Sequence, residues 1–534
     1  MINTPVGESR FMMVSRKFIF VSLLVLIGAG AFTAVRSEAA DTTVRTARGL
    51  TLQEVVRTTL SQQATIALGK EQLVQSDAVI TLARAEFDWN LETNLNHSAD
   101  YLPTGASTLY DRILTTAYDM RLVKKTESGL SFEPGVQLRR ASSAPVGYSS
   151  ATDNTLRVSF ALVVPLMQGS GKTAVTARET AARFDYEAAR FELQHTIAQS
   201  AYDSVVAYWQ YVAADERLKL AIAAEERADS VVVNTEALVN ADEVPQAELV
   251  NAQANQLEKK MSREHAELAL LEAKLTIGLL MGIVPEKSAD LLLPTGNFPV
   301  VSDTLAQATR NNHQQILAGA DRRGDLRALL QKSKAVENVV VAAKDALDPK
   351  LDLVSAIGYD GYQSGTTLQK SFQTVENRQK YPDWSVGLRF SYPLENSTAR
   401  GNYAIASSLQ TQNAIRVREL RRSVASTLRT VVQSLLNVAR ENETADRSVA
   451  SYQQAVNNEK EKYLMGESTL FDLLYTQDKL ESAQLTRTDV NLSGALLLTK
   501  LQFESGSLLT CSGDTCDFNP DAAALLVAAQ KEAR

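Results

Sequence analysis

A glycine-rich stretch at residues 163–178, "VVPLMQGSGKTAVTAR", comes closest in this sequence to a recognisable chemical site. An apolar run leads into a turn with Gly171, Lys172 and Thr173, and a helical pattern follows. This order is typical of loops that bind the phosphates of a nucleotide. Such a loop also needs glycine at position 166, so that backbone N–H groups surround the anion, but this chain has Leu166. The stretch therefore disfavours a nucleotide-binding enzyme, which is kept as an alternative.

No other group of side chains has the spacing of a catalytic or metal site. The four histidines are scattered among different segments, without the intervals at which zinc ligands recur. They are His97, His195, His265 and His313. We therefore predict that the protein is not an enzyme and holds no cofactor and no metal. The two cysteines, Cys511 and Cys516, either close a small disulfide loop in an oxidising compartment or stay as free thiols on a tail.

The N-terminus has the pattern of an export signal. Basic residues precede the apolar run Phe18–Phe32, and small residues follow it in "SEAAD". The run is about fifteen residues long, shorter than the roughly twenty that cross a bilayer as a helix. We expect a signal peptide over residues 1–39, with an uncleaved inner-membrane anchor as the alternative. Its removal takes the net charge from −7 to −9, and such an acidic chain is a poor binder of nucleic acid.

The sequence consists of two similar halves, and the glycine-rich turn lies in the first. "VSFALVVPL" at Val158–Leu166 lines up with "VGLRFSYPL" at Val386–Leu394, so that Pro165 and Leu166 match Pro393 and Leu394. After the second Pro-Leu pair, "ENSTARGN" contains no Gly-Lys pair. What the two halves share is a strand that ends at Pro-Leu and a polar turn into a long helix. We therefore interpret both stretches as strand-to-helix junctions.

The elements that flank these junctions have two periodicities. Apolar residues between Val417 and Val438 recur at intervals of three and four, which predicts long coiled-coil helices. In "WSVGLRFSY", Trp384–Tyr392, apolar and polar side chains alternate, as in a strand of an outer-membrane barrel or of a soluble hairpin with one buried face. The signal segment and the repeat favour the barrel. Four such strands are too few to close a barrel, so closure requires several chains.

Taken in order, these features resemble the TolC-like outer membrane efflux protein family. The resemblance rests on "LTLQEVVRTTLSQQATI" after the signal segment, on the junctions at Pro165 and Pro393, and on the helix-turn-helix "KYLMGESTLFDLLYTQDKLESAQ" at Lys462–Gln484. It implies a homotrimer in the cell outer membrane that extends into the periplasm. Each chain is expected to give four strands to a trimeric twelve-stranded β-barrel, which a long α-helical coiled-coil barrel continues.

The resemblance also implies a function and partners. The family forms passive exit ducts for efflux or type I secretion, driven by an inner-membrane pump or ABC transporter through a periplasmic adaptor, the membrane fusion protein. We expect the same partners here, with outer membrane lipid around the barrel and no nucleic acid. A periplasmic coiled-coil scaffold of the envelope, without a pore, is the alternative.

The expected organisation is a mixed α+β membrane protein with two internal structural repeats. The first repeat spans residues 40–300, with a helix, a strand pair at about 89–165 and long helices at 170–283. The second spans 301–510, with a helix, a strand pair at about 351–393 and long helices at 400–506, and a periplasmic tail follows at 511–534. Residues 103–150 are more than a hairpin loop needs. Their alternation predicts extra strands whose place, in a longer hairpin, a lid or the wall, stays open.

The resemblance places a gate at the periplasmic tips, in turns at residues 239–247 and 464–471. Tyr463 matches the family's gating tyrosine, Asp472 its main acidic position, and Glu248 the counterpart of Asp472 in the first half. Gly466 either supplies a positive φ at the turn or loosens the end of the preceding helix.

This chain departs from the family at two further tip positions. Ser468 stands where the family has an arginine, and Tyr475 where it has a second acidic residue. The gate is therefore expected to be held by different contacts. Copies of Asp472 and Glu248 at one constriction would bind cations and repel anions. The alternative is that both merely complement the dipole of a helix in its first turn.

Overall fold

Helices make up most of the structure. The computed structural model describes residues 49–101, 110–145, 151–366, 380–512 and 515–518, so the predicted signal peptide lies outside the described residues. The helices are α1 Leu52–Gln62, α2 Ala64–Arg84, α3 Lys172–Val175, α4 Ala177–Asn240, α5 Gln246–Leu280, α6 Pro285–Ser288, α7 Asp303–Asn311, α8 His313–Gly319, α9 Gly324–Asp345, α10 Ser397–Leu464 and α11 Leu470–Glu504. Among these described helices, none combines the length and the apolar composition needed to cross a membrane.

Two long helical hairpins dominate the shape of the helical part. Helices α4 and α10 have 64 and 68 residues, which at about 1.5 Å per residue makes each a rod of roughly 100 Å. Short turns connect α4 to α5 and α10 to α11, so the two helices of each pair run antiparallel. The long helices pack along their length because apolar residues spaced three and four apart, such as Val431 and Leu435, form one buried seam.

Six strands form one antiparallel sheet in chain order. They are β1 Trp89–Tyr101, β2 Tyr110–Lys125, β3 Ser131–Pro145, β4 Ala151–Pro165, β5 Lys350–Ser364 and β6 Lys380–Ser391. The expectation of four strands per chain is therefore wrong, as is the expectation of a single strand pair over residues 89–165. The extra segment forms β2 and β3, which hydrogen-bond to β1 and β4 along nearly their whole lengths.

The sheet has one apolar and one polar face. Residues that lie opposite each other on neighbouring strands share a face, and the pairing of the six strands brings their large exposed apolar side chains, except Tyr362, onto one face. They are Trp89, Leu91, Leu95, Tyr101, Tyr118, Met120, Leu122, Val136, Val158, Phe160, Ile357, Tyr359, Trp384, Val386, Leu388 and Phe390. The alternation predicted for Trp384–Tyr392 is thus continued by all six strands.

The opposite face carries charged side chains that pair across strands. The guanidinium of Arg121 on β2 lies 2.8 Å from the Glu92 carboxylate on β1 and 3.5 Å from Glu133 on β3. Arg157 on β4 pairs likewise with Asp360 on β5, at 3.4 Å, and with Asp383 on β6. Because cations and anions alternate across the strands, this face is polar without a single dominant charge.

Each half of the chain has its own hydrophobic core. The first surrounds α4, where Tyr208 and Tyr211 are fully buried and donate to the backbone oxygens of Leu50 and Leu292. The second surrounds α10, where Leu428, Val431 and Leu435 pack against residues of α7, α8 and α11. The two cores give each long helix a lateral support far from the tips.

The structure describes only the start of the predicted tail at 511–534, and residues 519–534 lie outside the described residues. Strands β7 Leu509–Ser512 and β8 Thr515–Phe518 form a hairpin, and a disulfide joins Cys511 to Cys516. The prediction left open whether this disulfide forms. Leu509 and Cys516 pack beside Ile66, Leu193 and Ile197, so the hairpin covers the contact between α2 and α4.

A nearly buried carboxylate connects α2 to the start of α4. Only 7% of the Glu179 side chain is exposed, and it accepts hydrogen bonds from Arg84 at 2.8 Å and Arg183 at 2.6 Å. The hydrogen bond from Arg84, supported by Arg183, lowers the pKa of Glu179 below its ordinary value near 4.5. The stabilisation is therefore fully present above that value and is lost as the pH falls through the lowered pKa.

We expect Glu179→Gln to cost about 1–3 kcal/mol of unfolding free energy at neutral pH, because it leaves Arg84 and Arg183 without their carboxylate. The loss should shrink at pH values below the ordinary pKa, where the wild-type carboxylate also becomes protonated. Thermal unfolding of the detergent-solubilised protein between acidic and neutral pH measures both effects. Glu187→Gln, which removes the carboxylate of an exposed pair with Arg190, is the matched control. An equal loss in both variants would contradict the prediction.

Candidate gate at the helical tips

The two tip turns have the same backbone conformation. At the end of α4, Asp242 has φ 56° and the N–H of Glu243 donates to the oxygen of Leu238. At the end of α10, Gly466 has φ 72° and the N–H of Glu467 donates to Lys462. This is the Schellman arrangement, which turns the chain sharply after a helix. Gly466 therefore supplies the positive φ that the sequence left as one of two possibilities.

Gly466→Ala is expected to destabilise the second tip by about 1–2 kcal/mol, because a side chain with Cβ is strained at positive φ. Asp242→Gly is expected to stabilise the first tip slightly, since aspartate already tolerates this conformation better than alanine does. Chemical denaturation of the purified protein in detergent measures the change in unfolding free energy for each variant. Glu467→Ala, at the next residue, is the control, and a loss as large as that of Gly466→Ala would contradict the prediction.

Tyr463 is fixed between the two helical hairpins. Its hydroxyl oxygen lies 3.0 Å from Oγ1 of Thr235 on α4, in a hydrogen bond between residues 228 apart in sequence. Thr235 is fully buried, and 4% of Tyr463 is exposed. A small core, here called the tip core, surrounds the pair and consists of Val231, Ala252, Tyr463, Leu470 and Leu473. The predicted gating tyrosine thus contributes to a link between the two halves near their tips.

Asp472 and Glu248 occupy the same position in their helices. Each lies in the first turn, as the third residue of α11 and α5. Asp472 is exposed and accepts a hydrogen bond at 2.6 Å from the hydroxyl of Thr469, whose oxygen accepts in turn from the Asp472 N–H. Glu248 is partly buried. Both side chains therefore favour their helix N-termini.

Ser468, at the family's arginine position, makes a local contact instead. Its hydroxyl donates to the carboxylate of Glu459 on α10, and Lys462 lies 3.3 Å from the same carboxylate. The hydrogen bond from Ser468, with help from Lys462, lowers the pKa of Glu459. This contact tightens the turn of one hairpin and does not join it to the other.

Exposed aromatic side chains extend from the second tip. Phe471 is 74% exposed and stacks on Tyr475, which stands at the family's second acidic position. The ammonium group of Lys479 lies 5.1 Å from the centre of the Tyr475 ring, a cation–π distance. Leu464 and Met465 are also exposed in this turn. The second tip therefore exposes four large apolar or aromatic side chains.

Lys259 joins the two hairpins a few turns from the tips. It extends from α5 to α11, where its ammonium group lies 2.7 Å from the Asp478 carboxylate and 2.8 Å from that of Glu481. Only 13% of the Lys259 side chain and 16% of that of Glu481 are exposed. Such a shielded ion pair is stronger than an exposed one. It ties the first hairpin to the second through one cation and two carboxylates.

The sequence identified only part of this network. Thr235, Glu459 and Lys259 had no local signal, because each is an ordinary polar residue of a long helix. Their roles depend on contacts with residues that are distant in sequence or lie across the turn. Tyr463, Gly466, Asp472 and Glu248 were found through the resemblance, and their functional roles remain proposals.

The strand-to-helix junctions lie where the repeat predicted them. Strand β4 ends at Pro165, and the N–H of Leu166 donates to the oxygen of Leu351 at 2.7 Å. Strand β6 ends just before Pro393, and Leu394 is almost fully exposed. At the first junction, two glycines with positive φ, Gly169 and Gly171, connect β4 to α3.

Lys172, which first pointed to a phosphate site, forms an ion pair. Its ammonium group lies 2.7 Å from Glu127 in the turn between β2 and β3. Within the described residues, no group of three or more histidine, cysteine, aspartate or glutamate side chains is arranged to hold a metal. Gly169 and Gly171, both at positive φ, serve the backbone turn of this stretch.

Comparisons with known proteins agree with this architecture. Residues 316–502 match the family model of the outer membrane efflux proteins. The structure of the outer-membrane channel OprN is similar, with a TM-score of 0.61 at 16% identity, covering 85% of this chain and 90% of that one. The CmeC outer membrane channel of Campylobacter jejuni gives 0.63 at 15% identity, over 85% of each chain. VceC of Vibrio cholerae gives 0.63 at 14% identity, over 85% and 96%. A search of curated protein sequences finds no match.

The fold is that of outer-membrane channels that combine a β domain with a long helical body. The family match confirms the resemblance to the TolC-like outer membrane efflux proteins. The protein is accordingly a channel component of the outer membrane that extends into the periplasm, and it serves transport rather than catalysis.

Proposed function

We propose that this protein is the passive exit duct of a tripartite efflux or type I secretion system. Three copies associate, their sheets close a barrel in the outer membrane, and their helical hairpins form a tunnel through the periplasm. A periplasmic adaptor binds at the tips and opens the tunnel, and an inner-membrane pump or ABC transporter supplies the energy. The cargo is chosen by the pump.

One observation carries the proposal. The sheet with a continuous exposed apolar face is joined directly, through two short junctions, to helical hairpins roughly 100 Å long. An exposed apolar face of this extent is unstable in water and suits contact with lipid. A non-pore scaffold in the periplasm has no use for such a face, whereas a duct needs both parts in one chain.

The tip contacts support a closed resting state that a partner opens. The Thr235–Tyr463 hydrogen bond and the Lys259 ion pairs hold the second hairpin against the first. The exposed Phe471 and Met465 lie beyond these contacts, where a binding partner reaches them first. An adaptor that covers this surface can therefore shift the hairpins without entering the tunnel.

Cell fractionation tests the duct. The unheated protein is expected in the outer membrane as a band of trimer mass on a denaturing gel, because closed outer-membrane barrels resist the detergent. In planar bilayers the purified trimer is expected to conduct ions. A soluble monomer in the periplasm would overturn the proposal and favour the scaffold.

Charge removal at the tips tests the acidic ring. Asp472→Asn combined with Glu248→Gln is expected to lower the cation-to-anion permeability ratio by about threefold or more and to weaken block by divalent cations. These substitutions keep the hydrogen-bonding shape of the side chains while removing their charge. Glu419→Gln, which neutralises an exposed residue of α10 far from the tip, is the control. Unchanged selectivity would leave Asp472 and Glu248 with the role of helix N-terminal residues only.

A further inference from the structure

The hairpin formed by β2 and β3 lies inside the sheet. It is hydrogen-bonded to β1 on one side and to β4 on the other, with continuous antiparallel registers. Strands β2 and β3 have 16 and 15 residues, as long as β4 and β5. A strand that crosses an outer membrane needs only about 9–11 residues. The hairpin is therefore long enough to cross the membrane together with its neighbours.

The two faces of the hairpin continue those of the other strands. Tyr118, Met120 and Val136 lie on the apolar face and are between 41% and 51% exposed. On the other face, Arg121 pairs with Glu92 and Glu133, which joins β1, β2 and β3 in one row of charges. A lid outside the membrane has no need for an apolar face in register with the wall. A strand of the wall does need one.

The turn of the hairpin is fixed at the helical end of the sheet. Gly129 has φ 94°, and a Cβ atom there would lie 2.2 Å from the oxygen of Gly169 in the first junction. Glu127 in the same turn pairs with Lys172 at 2.7 Å. The turn of the hairpin thus lies level with the end of β4, and strands β2 and β3 span the same height of the sheet as β4.

Strands β1 and β6 are the two edges of the sheet. In the part of the chain that the structure describes, neither edge has a further strand beside it. Six strands are fewer than the eight of the smallest known barrels, and an open edge is not stable in lipid. Strand β1 runs away from the helices and β6 runs towards them, so β1 of one copy and β6 of another are antiparallel, as the rest of the sheet is.

We propose that β2 and β3 belong to the membrane wall, so that three copies close an eighteen-stranded barrel through β1–β6 pairing between neighbours. The number eighteen rests on the trimer of the proposed function, with six strands from each copy. Barrel diameter grows roughly linearly with strand number, so this barrel is about half as wide again as one of twelve strands. Each added strand contacts lipid with its apolar side chains and lines the lumen with its charges.

Cysteine labelling tests the place of the hairpin. Met120→Cys and Val136→Cys report the apolar face, and Asp119→Cys and Gln137→Cys the polar face of the same strands. Val158→Cys and Ser159→Cys on β4 provide reference rates for the two faces. The native cysteines form a disulfide and do not react. In the membrane-embedded protein, a water-soluble maleimide is expected to label the apolar-face positions at least about tenfold more slowly, because lipid disfavours the reactive thiolate.

Disulfide cross-linking tests the closure between copies. Ser385→Cys on β6 is combined in turn with Asn90→Cys, Asn94→Cys or Ser98→Cys on β1, all on the polar face. Oxidation of at least one combination is expected to give covalent dimers and trimers on a reducing-agent-free denaturing gel, and each single variant is expected to give neither.

The results separate this proposal from the proposed function. A conducting trimer in which both faces of β2 and β3 react equally fast with the water-soluble probe would overturn the eighteen-stranded barrel and leave the duct intact. A conducting trimer without any β1–β6 cross-link would do the same. A chain that stays monomeric and outside the membrane would overturn the duct itself.

Discussion

Val386→Arg is expected to prevent stable assembly in the outer membrane, whereas Gly387→Arg, one residue further along β6, is expected to have little effect. Val386 lies on the apolar face near the middle of the strand and is 63% exposed. Arginine on the lipid side of a barrel costs about 2–4 kcal/mol at the bilayer midplane. In a trimer the cost occurs three times. The amount of heat-modifiable trimer in isolated outer membranes is expected to fall more than tenfold.

Gly387→Arg is a matched control, because Gly387 is next to Val386 on β6 but lies on the opposite face of the sheet. Its position on the polar face is beside Arg389, and an added Cβ meets no atom within 4 Å. An arginine there has room and an aqueous environment, provided that the polar face lines the lumen. A similar loss of trimer in both variants would show that β6 accepts no large side chain on either face. Normal assembly of Val386→Arg would contradict the contact between this face and lipid, on which the proposed duct depends.

Lys259→Met is expected to open the tips. The substitution keeps most of the length of the side chain but leaves the Asp478 and Glu481 carboxylates without the cation that joins α5 to α11. Loss of one partner from a shielded ion pair costs about 3–5 kcal/mol when fully buried, and about 2 kcal/mol is reasonable here because Asp478 is half exposed. Single-channel recordings should show more open time and a larger mean current than the wild type.

Two further variants separate charge from packing at this contact. Lys259→Arg keeps the cation and is expected to remain mostly closed. The double variant Lys259→Met with Glu481→Gln removes one of the stranded carboxylates and is expected to recover part of the closed state. Currents equal to those of the wild type in Lys259→Met would mean that the tip core alone keeps the tunnel closed.

The same contact predicts a dependence on pH. Burial alone would lower the pKa of Lys259, but the hydrogen bonds to Asp478 and Glu481 outweigh it and raise the pKa above the ordinary 10.5. A raised pKa means that the link is complete below the ordinary value and is lost as the pH rises through the raised one. Tunnel opening is therefore expected only in strongly alkaline solution for the wild type. Lys259→Met should show no such transition.

The sequence determined the long helices, the alternating strands and the two junctions. These features depend on local periods of about 3.6 and 2 residues and on single turn residues, and such signals are complete within short windows. The internal repeat strengthened them, because Pro165 with Leu166 and Pro393 with Leu394 mark the same transition twice. The same reasoning removed the nucleotide site suggested by Lys172, which in the structure pairs with Glu127.

Only the tertiary structure decided how many strands share the sheet and which contacts hold the tips. The alternation in residues 103–150 predicted strands but not their neighbours, because strand order is a property of pairing between distant segments. Likewise, Tyr463 bonds with Thr235 across 228 residues, and Lys259 reaches Glu481 across 222. Neither Thr235 nor Lys259 stands in a distinctive local sequence pattern. Such contacts are set by how the two hairpins pack, and this packing is decided over the whole chain at once.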